Sequence, residues 1–554
     1  MGVDYCLKSR AVFLGDAEKA VAGCVLIEGS YIKKVVAYGE EKKYLDSHTV
    51  VLDYGNQLIM PGFIDAHTHF FSGALAASSH VCGEISRSKS EEECVRMMLD
   101  FYAKHPNEKR LRGRGWFVTN WGDAPLPTKR SLDAAFPNIP VYMQAADCHS
   151  YWLNSKALEE CGIFQNPDGS LTTDVEGVER FPDGEPSGML LEMDACHEAD
   201  RLYHDFLPEE NLKIYEGLVQ RAASFGITSM SEMMPYDYDK ESRERYALVQ
   251  RLEREGKLTV RLHIFPKLYD VSDFGVTKRL QKEFDSNYIR ISGVKGFIDG
   301  VTETYTGLLL KPYENRPDTC GIGVPVKSQE ELNEAVRRAN AQGLPVRIHC
   351  IADGSVRMAL AAFACSVREN GMGLANCIEH IENIHPDDIP KFKELGVIPS
   401  MQPVHLLLDA GGKLSRIGEE RVKWEWPLRS ILESCKELAL GTDYPVVDMN
   451  PFVNIYAAVA RKYTDGTPAG FNPEERLTMG QTLRAYTFGA AAAYGRRNEI
   501  GALKEGMLAD VIVIDRDLFH VEEREILDSR VTMTMSGGKI VYEAAKVCSS
   551  QRGA

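Results

Sequence analysis

Between about residues 324 and 446 the chain alternates short apolar runs with amphipathic stretches, and few architectures accommodate that rhythm. SQEELNEAVRRANAQG reads as a helix, with Ser328 and Glu331 forming a capping box and Gly343 standing where a C-terminal stop belongs. LPVRIHC follows as a buried strand. GSVRMALAAFACSVRENG is a second helix and ANCIEH a second strand. PDDIPKFKELG, entered through Pro386, is a third helix, and VIPSMQP a third strand. WPLRSILESC and ELALGTDYP complete a fourth pair. Apolar strands separated by helices pair in parallel through right-handed crossovers. A closed barrel and an open doubly wound sheet both satisfy this pattern.

The two ends of the chain read differently. AVAGCVLIEGSYIKKVVAYGE near the start, and GMLADVIVIDRD and VTMTMSGGKIVYE near the finish, look like short strands broken by Gly and polar turns. Two β-rich ends around one long middle predict that the termini meet in a single small β domain. The stretch from about 75 to 215 breaks the alternation and is rich in Gly, Pro, Asp and aromatics. It reads as a long insertion after the first strand of the alternating region, forming a lid or pocket wall.

Composition narrows the function classes. With 44% hydrophobic and 26% charged residues in 554, the chain has enough apolar material for a large core. A net charge of −16 argues against a basic nucleic-acid footprint or a positive membrane-binding stripe. No apolar run approaches the roughly 20 residues that cross a bilayer, and the opening segment lacks a secretory pattern. The 13 cysteines form no C-x-x-C pair and read as reduced thiols, so the expected location is cytoplasmic.

Chemistry-bearing residues collect where apolar runs end. In QLIMPGFIDAHTHF, His67 and His69 are two apart, so an extended backbone points both to one side. Two imidazoles there are half of a tetrahedral metal site, and Asp65 is a carboxylate that can orient one of them. His349 closes LPVRIHC, His380 closes ANCIEH, and Asp443 closes ELALGTDYP. Lys295 lies in the apolar segment ISGVKGFIDG, where an unpaired ammonium is costly to bury. Taken singly, a strand-end His is an ordinary hydrogen-bonded residue and a strand-end Asp a helix cap. In order, His-x-His, Lys, His, His and Asp form a metal-ligand series at strand ends, where barrel enzymes place catalytic groups.

Other candidates are weaker. Gln402 and His405 in MQPVH end a further strand and are candidates to face substrate, as is His149 in DCHSYWLNS. Trp116, Trp121 and Trp152 either line a pocket for an apolar group or pack in a core, and core packing is the favoured reading. Cys350 and Cys377 read as packing residues, and Gly441 as a turn residue. No G-x-S-x-G nucleophile elbow and no phosphate-binding G-x-x-x-x-G-K-[ST] loop is present.

The segments PGFIDAHTHF, VKGFIDG, RIHCIADG, CIEH, MQPVH, GTDYP and GALKEGMLADVIVID together resemble family 3 of the amidohydrolase superfamily, in its N-substituted formamide deformylase-like branch. The likeness extends over nearly the whole chain. One departure is Ala352, where the family more often has Gly, and it leaves Asp353 in place.

The resemblance implies an α/β fold: a (β/α)8 TIM barrel over 59–495, interrupted by the insertion at about 75–215, and a β-sandwich composed of 1–58 and 496–554. It implies one or two divalent metals, zinc first among them. His67, His69 and Asp443 would hold one metal, and His349 and His380 the other. Lys295, once carboxylated by CO₂, would bridge them. The expected reaction is hydrolysis of a non-peptide C–N bond in a small molecule (amide, N-formyl amine, cyclic amide or carbamate) by a metal-activated hydroxide, with Asp443 as general base and acid. A homodimer is the base-rate expectation. The alternatives are a mononuclear deaminase of the same superfamily, which lacks the bridging Lys and carries a Glu near the third His, and a non-catalytic interaction protein on the same scaffold.

Overall fold

Both ends of the chain supply strands to one eight-stranded sheet. The computed structural model describes residues 2–545, apart from 123, 147–149, 174, 234–239, 269–273, 322–327 and 469–471. The two ends meet at the strand Leu58–Pro61, which pairs parallel with Tyr5–Val12 and antiparallel with Val511–Ile514. All four of its side chains are buried, so its sequence is apolar throughout rather than alternating. Leu7, Val25, Ile59, Val513 and Met533 fill one face of this sheet. Asp510 ties it to the neighbouring parallel strand Arg261–Phe265, accepting at 2.7 and 2.8 Å from Arg261 Nε and Nη2 in a buried bidentate pair.

The sheet of the chain ends and the parallel strands belong to one compact unit, residues 1–70 and 219–554. Its parallel strands form two sheets. One runs Ile289–Ile291, Arg261–Phe265, Ile227–Met233, Phe63–Ile64. The other runs Val294–Phe297, Val346–Cys350, Cys377–His380, Ile398–Met401, Ala439–Leu440, in sequence order. Parallel bridges Lys267–Lys295 and Thr68–Tyr444 join the two sheets at both flanks. Backbone bonds from Lys295 N to Pro266 O (2.7 Å) and from Asp443 N to His67 O (2.8 Å) tighten those seams.

The expected helices form at Gln329–Ala341, Asp353–Asn370, Ile389–Leu395 and Leu428–Cys435, the first with the Ser328–Glu331 capping box. A further helical stretch, Leu406–Arg421, broken at Gly418 (φ 80°, ψ 167°), carries Gly411 and Gly412 in its interior, which weakens the helical signal in the sequence. No helix among the described residues is long and apolar enough to cross a membrane.

Strand alternation sorts the side chains. In Val346–Cys350, the apolar Val346, Ile348 and Cys350 alternate with Arg347 and His349. Arg347 reaches Glu379 and Ser400 on the next two strands, and alternation puts His349 on the same face of the sheet.

The second compact unit is residues 71–218. It has a five-stranded sheet ordered Val178–Arg180, Pro186–Leu191, Ser150–Leu153, Val141–Ala145, Leu111–Trp116. The stretch that reads as an insertion is therefore a folded unit with a core of its own, including Cys94, Met98, Leu132 and Met143. Trp116, Trp121 and Trp152 pack against one another in that core, with ring centroids 5.6 to 6.3 Å apart. Each indole N–H is satisfied within this unit, by Met143 O, Ser88 Oγ and Thr128 O. All three tryptophans are buried in this packing. His149 lies outside the described residues.

Candidate functional site

Asp65 follows the strand Phe63–Ile64 and spends its carboxylate on the backbone frame. Its Oδ1 accepts from Thr442 N at 2.8 Å and its Oδ2 from Thr442 Oγ1 at 2.6 Å. This locks the turn bearing His67 to the turn bearing Asp443. Asp65 is thus not the residue that orients an imidazole. That role falls to Glu379, whose Oε2 lies 2.7 Å from His67 Nδ1. An ionised Glu379 fixes the proton of His67 on Nδ1 and leaves the Nε2 lone pair directed at Asp443 Oδ1, 3.5 Å away. Burial opposes the Glu379 charge, but the Arg347 guanidinium, 2.5 Å from Oε1, together with His67 and Lys295, holds the carboxyl well below the usual range.

His69 Nε2 lies 3.2 Å from the same Asp443 oxygen. His67, His69 and Asp443 therefore bring donor atoms within 4.8 Å of one another. A second such group is His380, His405 and Asp443. The imidazoles form a continuous set, with ring centroids 4.8 Å apart for His67 and His380, 4.4 Å for His349 and His380, and 6.1 Å for His380 and His405. His349 Nε2 sits 3.3 Å from Gly300 O and 3.8 Å from Asp299 Oδ1. Lys295 is fully buried beside this set, its Nζ lacking a hydrogen-bond partner among the described residues and lying 4.9 Å from the Phe297 ring centroid. Burial pulls its pKa down to about 8. The amide of Gln402, just past the strand Ile398–Met401, is buried with neither atom hydrogen-bonded among the described residues.

Backbone strain concentrates at the same place. His380, Ile381 and Asp443 have φ of 73°, 52° and 62°, and a β-branched residue such as Ile381 rarely adopts this region. Each such residue costs about 1–3 kcal/mol and persists only where its surroundings over-determine it. Here Ile381 N donates to Cys350 O, and Asp443 N to His67 O. Gly441, which reads from sequence as a turn residue, serves a different need. A Cβ there would lie 2.6 Å from His67 N and 3.0 Å from Asp65 Oδ1, so glycine permits the close approach of two strand ends.

The electrostatics keep His67, His349 and His380 neutral. Burial, reinforced by the Lys295 charge, lowers His67 to about 4 and His349 to about 3, and burial with its neighbouring imidazoles depresses His380 strongly. His405 is the exception. Burial works against its charge, but Glu382 and Asp443 outweigh it and raise its pKa. Burial also opposes ionisation of Asp443, yet His67, His69 and His405 hold its carboxyl well below the ordinary range.

The lowered imidazoles have a consequence for stability. Below an ordinary value near 6.5 the unfolded chain binds protons that His67 and His349 refuse in the folded state. Their contribution is therefore present above about pH 6.5 and is lost as pH falls through the folded values. For His67 alone the full window amounts to on the order of 3 kcal/mol. Urea unfolding of metal-free protein between about pH 7.5 and 4.5 is expected to show stability falling with acid, with a shallower slope in His67→Gln. Equal slopes in the two proteins would contradict this.

Sequence reasoning missed Arg347, Glu379, Glu382 and Lys413. Arg347 and Glu379 each interrupt an apolar strand, the same signal that singled out Lys295.

A model of the amidohydrolase family matches residues 50–542. The chain is 28% identical to Protein LONG AFTER FAR-RED 3 of Arabidopsis thaliana, over 97% of this chain and 91% of that protein. It is 26% identical to the N-substituted formamide deformylase of Arthrobacter pascens, over 95% and 96%. The fold resembles that of an uncharacterized metal-dependent hydrolase from Pyrococcus horikoshii OT3, with a TM-score of 0.75 at 24% identity, covering 94% of this chain and 99% of that one. With a family match over most of its length and a site of His and Asp donors at strand ends, this chain belongs to the amidohydrolase family.

Proposed function

We propose that this protein is a metal-dependent hydrolase of a non-peptide C–N bond in a small molecule: an amide, N-formyl amine, cyclic amide or carbamate. The observation that carries the reading is the convergence of His67, His69 and Asp443 donors within 4.8 Å. In this reading the two parallel sheets close as a (β/α)8 barrel, the chain-end strands belong to a β-sandwich, and the donors sit at the barrel's C-terminal mouth.

The residues fit a divalent cation. Among the described residues His380 Nδ1, His405 Nε2 and Asp443 Oδ1 are buried without hydrogen-bond partners, a costly state for an acceptor that a cation relieves, whereas Lys295 Nζ, equally unpartnered there, could serve a cation only after carboxylation. Imidazole and carboxylate donors suit zinc first. His67, His69 and Asp443 would hold one ion and His349 and His380 a second, and Lys295, if carboxylated by CO₂, would add an anionic oxygen donor. Such an ion polarises a carbonyl and lowers the pKa of water towards about 7.

The chain's own groups then do the following. Glu379 keeps His67 in the Nδ1–H tautomer. Asp443 accepts the proton of the attacking water and returns it to the leaving nitrogen. Gln402 offers an unpaired donor and acceptor to orient the substrate's polar atoms.

Hydrolysis of a panel containing N-substituted formamides, linear and cyclic amides and carbamates is expected for at least one member. That activity should vanish on exhaustive chelation and return with zinc. Turnover that survives chelation confirmed by elemental analysis would overturn the reading.

A further inference from the structure

The two donor groups share Asp443 and divide it between them. Its Oδ1 faces His67 Nε2 and His69 Nε2, at 3.5 and 3.2 Å, and its Oδ2 faces His405 Nε2 at 3.9 Å. In the second group both imidazoles carry a buried nitrogen with no hydrogen-bond partner among the described residues: His380 Nδ1 and His405 Nε2. His405 faces a glutamate as His67 does, though at a longer distance. Its Nδ1 lies 3.5 Å from Glu382 Oε1, and Glu382 Oε2 accepts at 2.7 Å from Lys413, which is fully buried and also donates to Thr302 Oγ1. One short segment, CIEHIE, thus supplies Glu379 behind His67, His380 itself, and Glu382 behind His405. Each glutamate is clamped by a buried cation, Arg347 for the first and Lys413 for the second.

We propose that His405 is a metal donor on the His380 side, completing a His380–His405–Asp443 set, and that Glu382 with Lys413 is the device that aims its Nε2. A carboxylate on one ring nitrogen of a ligating histidine fixes the tautomer and raises the basicity of the other. Two such carboxylate–histidine pairs converge on opposite oxygens of one aspartate. This rests on the metal-centre reading above and adds a ligand to it.

The test uses the full chain and Co²⁺ as the probe, since its visible absorption reports on the ligand set. Wild type, His67→Ala, His405→Ala, His349→Ala and Glu382→Gln are stripped, reloaded, and titrated against a chelator, with bound cobalt counted by elemental analysis. Thermal unfolding identifies folded variants. The expected result is a changed spectrum and weaker retention in His405→Ala, exceeding the loss in His349→Ala. Glu382→Gln, a near-isosteric change, should weaken retention by roughly 10–100-fold.

Cobalt affinity and spectrum unchanged in folded His405→Ala would overturn the proposal, as would a smaller loss there than in His349→Ala. If His405→Ala does not fold, unchanged retention in Glu382→Gln overturns it. Wild type that binds no cobalt, or binds it as His67→Ala does, sinks the metal-centre reading itself and this proposal with it.

Discussion

Asp443→Asn is expected to leave the protein folded and to lower kcat on the responsive substrate by about 10²–10⁴-fold, roughly 3–5 kcal/mol of barrier. The substitution is conservative where structure needs it to be. Asparagine tolerates the left-handed backbone that residue 443 adopts, and the N–H that donates to His67 O is untouched. What changes is the charge. The carboxylate that faces His67, His69 and His405 becomes an amide that neither accepts a proton from water nor balances nearby cations. The readouts are kcat, bound metal and unfolding midpoint, measured together. Near-normal kcat removes Asp443 from the proton-transfer role. Lost turnover accompanied by lost fold would make the effect structural.

Breaking the Arg347–Glu379 pair is expected to have the largest effect on stability. Both side chains are fully buried, and Nε and Oε1 are 2.5 Å apart. Removing one partner strands the other charge in the interior, which typically costs about 3–5 kcal/mol. Glu379→Gln should also weaken metal binding by about 10–100-fold, because one amide oxygen cannot serve both Arg347 Nε and His67 Nδ1. Arg347→Met should destabilise similarly without directly removing the acceptor for His67. The double variant Glu379→Leu with Arg347→Met is expected to cost clearly less than the sum of Glu379→Leu and Arg347→Met alone, since it strands no charge. Additive losses in a denaturant-unfolding cycle would show that the two residues act independently.

Much of the framework was legible from local pattern. The alternation of apolar strand and amphipathic helix over 329–440 depends on neighbours a few residues apart, so the sequence displays it directly. The Ser328–Glu331 capping box is equally local. The helix Leu406–Arg421 was not legible, because Gly411 and Gly412 dilute its helical signal, and with it went Lys413. The segment 71–218 hid its sheet for a related reason. Its strands are short, and their order along the chain differs from their order in space.

Residue types at strand ends marked where chemistry would be, since an ionisable side chain closing an apolar run is visible in one dimension. Which atom meets which was decided only by folding. Asp65 looked like the partner of His67, two residues away, yet it bonds Thr442, 377 positions on. The true partner, Glu379, lies 312 positions from His67. A hydrogen bond depends on direction to within a few tens of degrees and on distance to within a few tenths of an ångström. Sequence therefore determined the order of the elements and the kinds of group they carry. Tertiary packing alone, through strand register and the buried cations that aim each carboxylate, decided how those groups face one another.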